Sequence, residues 1–321
     1  MRDEALDAAV AQLAEVRDSD LRGAALTPAA DALLERIVAM PARPAGKARF
    51  VLAAAAVAVV AGALVFALAG TDSEQAASAA TVLRQTGSVA RSQPRLVLRP
   101  GQFVYTRSRN VGMVTTVLDG KSFNVLEPHD REIWLGPTGG RLHELTGRPT
   151  FLTPHDRETW IALGRPLTTV VGESNNTLTP EPALTLPTAP DALFAELRKQ
   201  AEGNGNGVYP EMFTLVGDAL RETGASPAQR AALYDVAARI PGVQLLGSVR
   251  DPAGRLGTGV ALDSPANHMR QTLVFDPDTS ALLAEQQTAL PGGIAPAGTV
   301  LGYAVYLQQA VVDSPQERPA R

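Results

Sequence analysis

The chain of 321 residues contains no cysteine. That absence excludes disulfides, thiolate metal sites, a cysteine nucleophile and anchoring through a lipid-modified cysteine. Lysine is almost missing as well: of 29 basic residues only Lys47, Lys121 and Lys199 are lysine. Aromatic residues make up 5 % of the chain, and the basic residues are scattered rather than striped with aromatics between them. With a net charge of only −4, no nucleic-acid partner is expected. No G-x-S-x-G nucleophile turn occurs, nor an H-E-x-x-H helix, so the common hydrolase and zinc-protease patterns are absent. "EGNGNGVYP" at Glu202–Pro210 follows a helical pattern and lacks the Gly-Lys-Ser/Thr of a phosphate loop, which makes it a flexible connector.

One long apolar run is present. Residues 50–69, "FVLAAAAVAVVAGALVFALA", hold twenty positions without a charge or a hydroxyl. A helix of about 20 residues spans the roughly 30 Å hydrocarbon core of a bilayer. Arg43, Lys47 and Arg49 precede the run, and Asp72 and Glu74 follow it. Positive charge stays on the cytoplasmic side, so the expectation is a single span with the N-terminus inside and the C-terminal bulk outside. The alternatives are a buried core helix and a cleaved signal peptide ending near Ala69. The stretch of 49 residues before the run is much longer than an ordinary signal n-region, which favours an uncleaved signal anchor and a cell-membrane location.

The segments on either side set the domain reading. Residues 1–49 are expected to form a cytoplasmic tail. Its first amphipathic helix runs over residues 3–17, and a second starts at Thr27 and Pro28 and stops at Pro41. The basic juxtamembrane linker comes next. Residues 1–40 are too small for a core of their own; they serve either to orient the chain or to dock a cytoplasmic protein partner. Residues 70–94 read as a stalk or linker, or as a helix through Val82 and Leu83. Residues 95–313 read as an extracytoplasmic α+β domain, and 314–321 as a disordered tail.

Within that domain, "QFVYTRSR" and "GMVTTVLDG" are strand-like, and "REIWLGPTGGRLHEL" reads as two strands around a turn at Pro137–Gly140. A helical block follows. Thr188 and Asp191 suggest a capping box for a helix ending at the glycines of 203–207. Residues 210–224 form the next helix, and Ser226, Pro227 and Gln229 open another that Pro241 stops. Five more strands run from "VQLLGSV" to "TVLGYAVYLQQAVVD", separated by proline-containing turns. Of these, "DPDTS" at Asp276–Ser280 lacks the central glycine and distal glutamate of a calcium loop and reads as a turn. Antiparallel strands, helices, then antiparallel strands give an α+β fold: a curved antiparallel sheet packed on helices, behind one transmembrane helix.

Particular strings carry a family resemblance. They are "LLERI" at Leu33–Ile37, "REIW" with "GGR" at Arg131–Arg141, "QRAALYDVAARIPGV" at Gln229–Val243, "VRDPAGRLGTGV" at Val249–Val260 and "LVFDPDTSALLAEQ" at Leu273–Gln286. Through them the chain resembles a group of actinobacterial single-pass membrane-anchored proteins of unassigned function, commonly encoded beside extracytoplasmic-function sigma factors. The outer part resembles the LolA/RseB-like half-barrel, a curved antiparallel sheet holding helices in its concavity. The resemblance implies a membrane-anchored binding or sensing protein linked to sigma-factor regulation, with an apolar ligand in the concavity. It implies no catalytic residue and no cofactor, and fold analogy alone assigns no chemistry.

The one constellation with catalytic vocabulary is a duplicated heptad. "PHDREIW" at Pro128–Trp134 and "PHDRETW" at Pro154–Trp160 agree at six of seven positions, offset by 26. An envelope enzyme would use His129 or His155 with Asp130 or Asp156; a metal would need His129 and His155 brought side by side with a carboxylate. His129, His143 and His155 lie 14 and 12 residues apart, without metal-site discipline. The structural reading makes both heptads strands of one sheet, with Trp134 and Trp160 as packing anchors and the charged pairs facing solvent. On that reading there are no catalytic, cofactor-binding or metal-ligating residues, and the chain is either a binding protein or an envelope scaffold.

Overall fold

The computed structural model describes residues 72–179, 186–221 and 225–320. The expected cytoplasmic helices of residues 1–49 and the apolar run at 50–69 lie outside the described residues. Among the described residues no helix is long and apolar enough to cross a membrane.

The fold is α+β, built on a large curved antiparallel sheet. Strands β1 (Phe103–Leu118), β2 (Lys121–Gly136), β3 (Gly139–Thr146) and β5 (Gly172–Leu178) form one meander, with the two-residue β4 (Thr150–Phe151) beside β2. Strands β6 (Gln244–Arg250), β7 (Leu256–Ser264), β8 (Met269–Phe275), β9 (Leu282–Ala289) and β10 (Val300–Val312) form a second. The sheet order is β5-β3-β2-β1-β10-β9-β8-β7-β6, so β1 and β10 join the two halves. The two expected strands "QFVYTRSR" and "GMVTTVLDG" are one continuous β1, paired residue for residue with β2 from Val104↔Leu135 to Leu118↔Lys121.

Three helices enter the chain between the two meanders: α3 (Pro190–Ala201), α4 (Val208–Leu220) and α5 (Pro227–Arg239). Their apolar faces bury Leu193, Leu197, Met212, Phe213, Leu233 and Val236 against Val260, Leu262, Leu273 and Phe275 of β7 and β8. Tyr234 meets Phe275 edge-on at 5.5 Å, the arrangement that ring quadrupoles favour. Ser226 and Gln229 make the expected capping box at the start of α5. The box expected at Thr188 and Asp191 does not form. Pro190 takes the first helical position, Ala189 is the cap without a side-chain bond, and Asp191 pairs with Arg239 instead.

Two expected boundaries are corrected. Of the two readings of residues 70–94, the helix through Val82 and Leu83 is the one that forms, as α1 (Asp72–Ser92), and it belongs to the domain rather than to a stalk before it. Ala79, Leu83 and Ala90 fall on one face at helical spacing and are buried in the main core. Gly87 allows close approach to α5: a Cβ there would lie 3.1 Å from the carbonyl oxygen of Ala231. The second correction concerns residues 314–320, expected to be disordered. They run back over the sheet, and the carbonyl oxygens of Pro315, Glu317 and Ala320 accept hydrogen bonds from Arg141, Trp134 and Gln308. Backbone groups of the tail thereby satisfy side chains that the sheet leaves unpaired.

Candidate functional site

The duplicated heptad folds in two different ways. Pro128–Trp134 lies in β2, paired to β1 on one side and β3 on the other. Pro154–Trp160 is not a strand: it forms most of a helix, α2 (Pro154–Ala162). The expectation of two sister strands is therefore wrong for the second copy. Thr153 caps that helix, Pro154 sits in its first turn, and Asp156 closes a capping box. Each of these saturates or tolerates an orphan N–H of the first turn.

The two copies also place their side chains differently. His155 is exposed at the start of α2. His129 is on β2, with Nδ1 3.4 Å from Glu144 and 3.3 Å from the hydroxyl of Thr146. Asp130 pairs with Arg109 on the surface, whereas Asp156 is buried and accepts bonds from Thr153 and from the backbone and side chain of Asn124. Among the described residues no group of three His, Asp or Glu side chains is arranged to hold a metal ion.

Trp134 is fully buried, and Trp160 is half-buried against Phe151 at 5.2 Å. Around Trp134 lies a polar network that the heptad reading did not contain. The Tyr105 hydroxyl donates to Glu132 at 2.7 Å, His143 Nδ1 lies 3.0 Å from the same carboxylate, and His143 Nε2 lies 3.0 Å from Glu173. Arg318, from the returning tail, grips Glu132 with two nitrogens at 2.7 and 2.8 Å. The hydrogen bonds from Arg318 and Tyr105 pull the Glu132 carboxyl down to about 2, against the cost of burial. Burial, reinforced by Glu132, pushes Tyr105 up to about 12. His143 lowers Glu173. Glu132 and Tyr105 are driven away from neutral pH in opposite directions. Together with the bonds to Pro315 and Glu317, the Arg318 grip on Glu132 fastens residues 313–320 to the sheet.

The opposite face of β1 and β2 carries a different feature. Between this half of the sheet and the helices lies an open cleft of about 790 Å³. Its apolar walls include Leu96 and Leu98 from the segment after α1, Val104, Leu135, Leu186 and Leu220. Its polar lining is spread around it: Gln93 and Arg95 after α1, Thr188 and Arg221, Gln309 of β10, and Ser226, Gln229 and Arg230 at the N-terminal end of α5. A smaller cavity of about 160 Å³ adjoins it through Leu220, Arg221, Arg230 and Gln309.

The resemblance implied a concavity but named none of its lining residues, and the network around Trp134 was missed. The cleft draws its walls from segments more than 200 residues apart, which no local pattern joins. No protein-family model matches the chain, and no curated protein aligns with it significantly.

Proposed function

We propose that the chain is a single-pass membrane protein of the cell envelope whose extracytoplasmic α+β domain binds or senses an apolar ligand. The N-terminus lies inside, and residues 1–40 report to a cytoplasmic partner in sigma-factor regulation, as the family resemblance implies. The observation that supports the binding role best is the cleft. At about 790 Å³ it falls within the range of roughly 300–1,000 Å³ usual for small-molecule sites, and Leu96, Leu98, Val104, Leu135, Leu186 and Leu220 give its mixed lining apolar surface. Support for the topology comes from the charge asymmetry around residues 50–69.

Native mass spectrometry of the full-length protein, released from its own membranes, tests the binding role. A bound apolar molecule is expected, and Leu98→Trp, which fills the cleft from a half-buried wall, should abolish it. Protein without any bound molecule, or binding untouched by that change, overturns the reading. Proteolysis of intact protoplasts tests the topology: residues beyond about 75 should be removed and the inner tail spared.

A further inference from the structure

We infer that the tip of the β1–β2 hairpin rests on an anionic lipid surface, that of the bilayer in which residues 50–69 are anchored. The inference rests on the membrane anchoring proposed above. β1 pairs with β10 only as far as Val111, but with β2 as far as Leu118. From Val111 to Leu118 the hairpin therefore overhangs the sheet by about 23 Å, at the rise of an antiparallel strand. α2 and β4 brace it: Asp156 accepts from the Asn124 N–H, and β4 pairs with Val125 and Leu126. The segment after α2 joins them, with the Thr169 hydroxyl donating to Glu127. Exposed apolar side chains gather here: Val114, Val117 and Leu118 near the turn, and Leu167, Val170 and Val171 after α2. Val117 is 70 % exposed and Leu167 83 %. Clustered apolar exposure of this kind marks a contact surface.

Chain length identifies what covers it. α1 runs antiparallel to α5: Gly87 abuts Ala231 and Tyr234, while Gln93, just past the end of α1, shares the cleft wall with Ser226. The start of α1 thus points the way that α5 ends, towards Gln244 of β6. Gln244 pairs with Ala261, and across β7, β8, β9 and β10 that end of the sheet leads to Val111. α1 therefore begins at the end of the sheet from which the hairpin projects. From Gly87 to Asp72 it rises about 22 Å, against about 12 Å from Ala231 to Arg239 of α5. It outruns α5 by about 10 Å, and the steps from Ala69 to Asp72 add at most about 10 Å. The last residue of the apolar run is tethered within about 20 Å of the sheet end, close to the depth that the hairpin tip reaches.

Charge agrees with that placement. In residues 113–126 and 148–171, Lys121, Arg148, Arg157 and Arg165 are exposed, against exposed Asp119 and Glu158. None of the four cations forms an ion pair among the described residues. Apolar side chains beside unpaired cations suit a bilayer surface with anionic headgroups, where burial and Coulomb attraction add.

The test uses the full chain, which has no cysteine of its own, in vesicles of phosphatidylcholine and phosphatidylglycerol. One cysteine is introduced at a time and labelled with an environment-sensitive fluorophore. Lipids carrying a spin-label quencher just below the headgroup read contact. Val117→Cys is expected to be blue-shifted and to lose most of its fluorescence to that quencher. Leu256→Cys, exposed at the opposite end of the sheet, should show neither change. Val60→Cys, read with a quencher deep in the acyl chains, reports the span itself. Lys121→Gln should weaken tip contact about fivefold, equivalent to about 1 kcal/mol for one basic residue at an anionic surface. Vesicles of phosphatidylcholine alone should weaken it further. Quenching at Val60 but not at Val117 overturns the inference and leaves the anchoring intact. Quenching at neither position overturns the anchoring as well. Contact at Val117 that ignores both Lys121→Gln and the lipid charge overturns the anionic surface. Equal quenching of Leu256→Cys and Val117→Cys overturns the placement of the hairpin.

Discussion

Pro128–Trp134 and Pro154–Trp160 differ at one residue, Ile133 against Thr159, and that difference does not decide their folds. The residues just outside do. Thr153 precedes the second copy and its hydroxyl accepts from the Asp156 N–H, while the Thr153 N–H donates to the Asp156 carboxylate. Glu127 precedes the first copy, and glutamate is a poor N-cap. The first copy also has partners waiting. β1 pairs along its whole length, and β3 pairs from His129 to Gly136. Pro128, which cannot donate, falls between the pairing of β2 with β3 and the pairing of Val125 and Leu126 with β4. Local propensity is a weak prior that caps and neighbours override. A seven-letter match is too short to carry structure, still less chemistry.

The largest contrast between the copies should come from the indoles. Trp134 is buried, meets Tyr105 in a tilted ring contact at 5.3 Å and donates to the Glu317 carbonyl at 2.7 Å. Trp134→Ala should cost about 3–5 kcal/mol. Trp160 is half-buried, with its N–H bonded to Pro166 at 2.9 Å, and Trp160→Ala should cost about half as much. Thermal unfolding of the full chain reads the difference. Equal losses would mean that the helix copy is as deeply anchored as the strand copy.

The aspartates should separate next. Asp156→Ala removes the capping box and leaves the Asn124 N–H without its acceptor, for a loss of about 2–3 kcal/mol. Asp130→Ala breaks only a half-exposed pair with Arg109 and should stay within about 0.5 kcal/mol. If Asp130→Ala proved the costlier change, the surface placement of the first copy would be wrong.

Much of this architecture was legible, and the failures have physical causes. Strands with clear alternation, and α5 with its capping box, were readable because each signal is local. α1 was legible only as one of two readings, a linker or a helix through Val82 and Leu83, because beside Leu83 its buried face is mostly alanine and glycine, which pack closely without raising hydropathy. The pattern Thr153-Pro154-His155-Asp156 was in plain view as a helix start, but similarity to the strand copy outweighed it. The tail was unreadable for another reason: its order depends on Trp134, Glu132 and Arg141, all far upstream. The cleft is a tertiary fact of the same kind.

Glu132 gives the comparison a pH handle. Its carboxyl is held at about 2 in the folded chain, below the ordinary 4.5. A depressed folded value means that the stabilisation is complete above about 4.5 and is lost as pH falls towards 2. Arg318 is half exposed, so solvent screening reduces the effect to about 1–2 kcal/mol. Glu132→Gln or Arg318→Gln should each flatten the acid limb of the stability profile in that window. An unchanged acid limb in both variants would show that the tail is not fastened there.

The smallest effect belongs to the histidines, and it bears on the chemistry that the heptad suggests. A metal or general-base role would require His129 and His155 to converge on a common reacting atom, with an aspartate orienting each. Instead His155 is exposed at a helix start, and His129 faces Glu144 and Thr146 on the sheet. Asp156, the natural orienting group for His155, is committed to Thr153 and Asn124. His155→Asn should therefore leave stability within about 0.5 kcal/mol. His129→Asn loses a partly exposed contact with Glu144 and should cost under about 1 kcal/mol. The purified full chain is expected to hold no stoichiometric zinc. Zinc at one equivalent, lost in the double variant, would show that the two copies meet in solution and would restore the catalytic reading of the heptad.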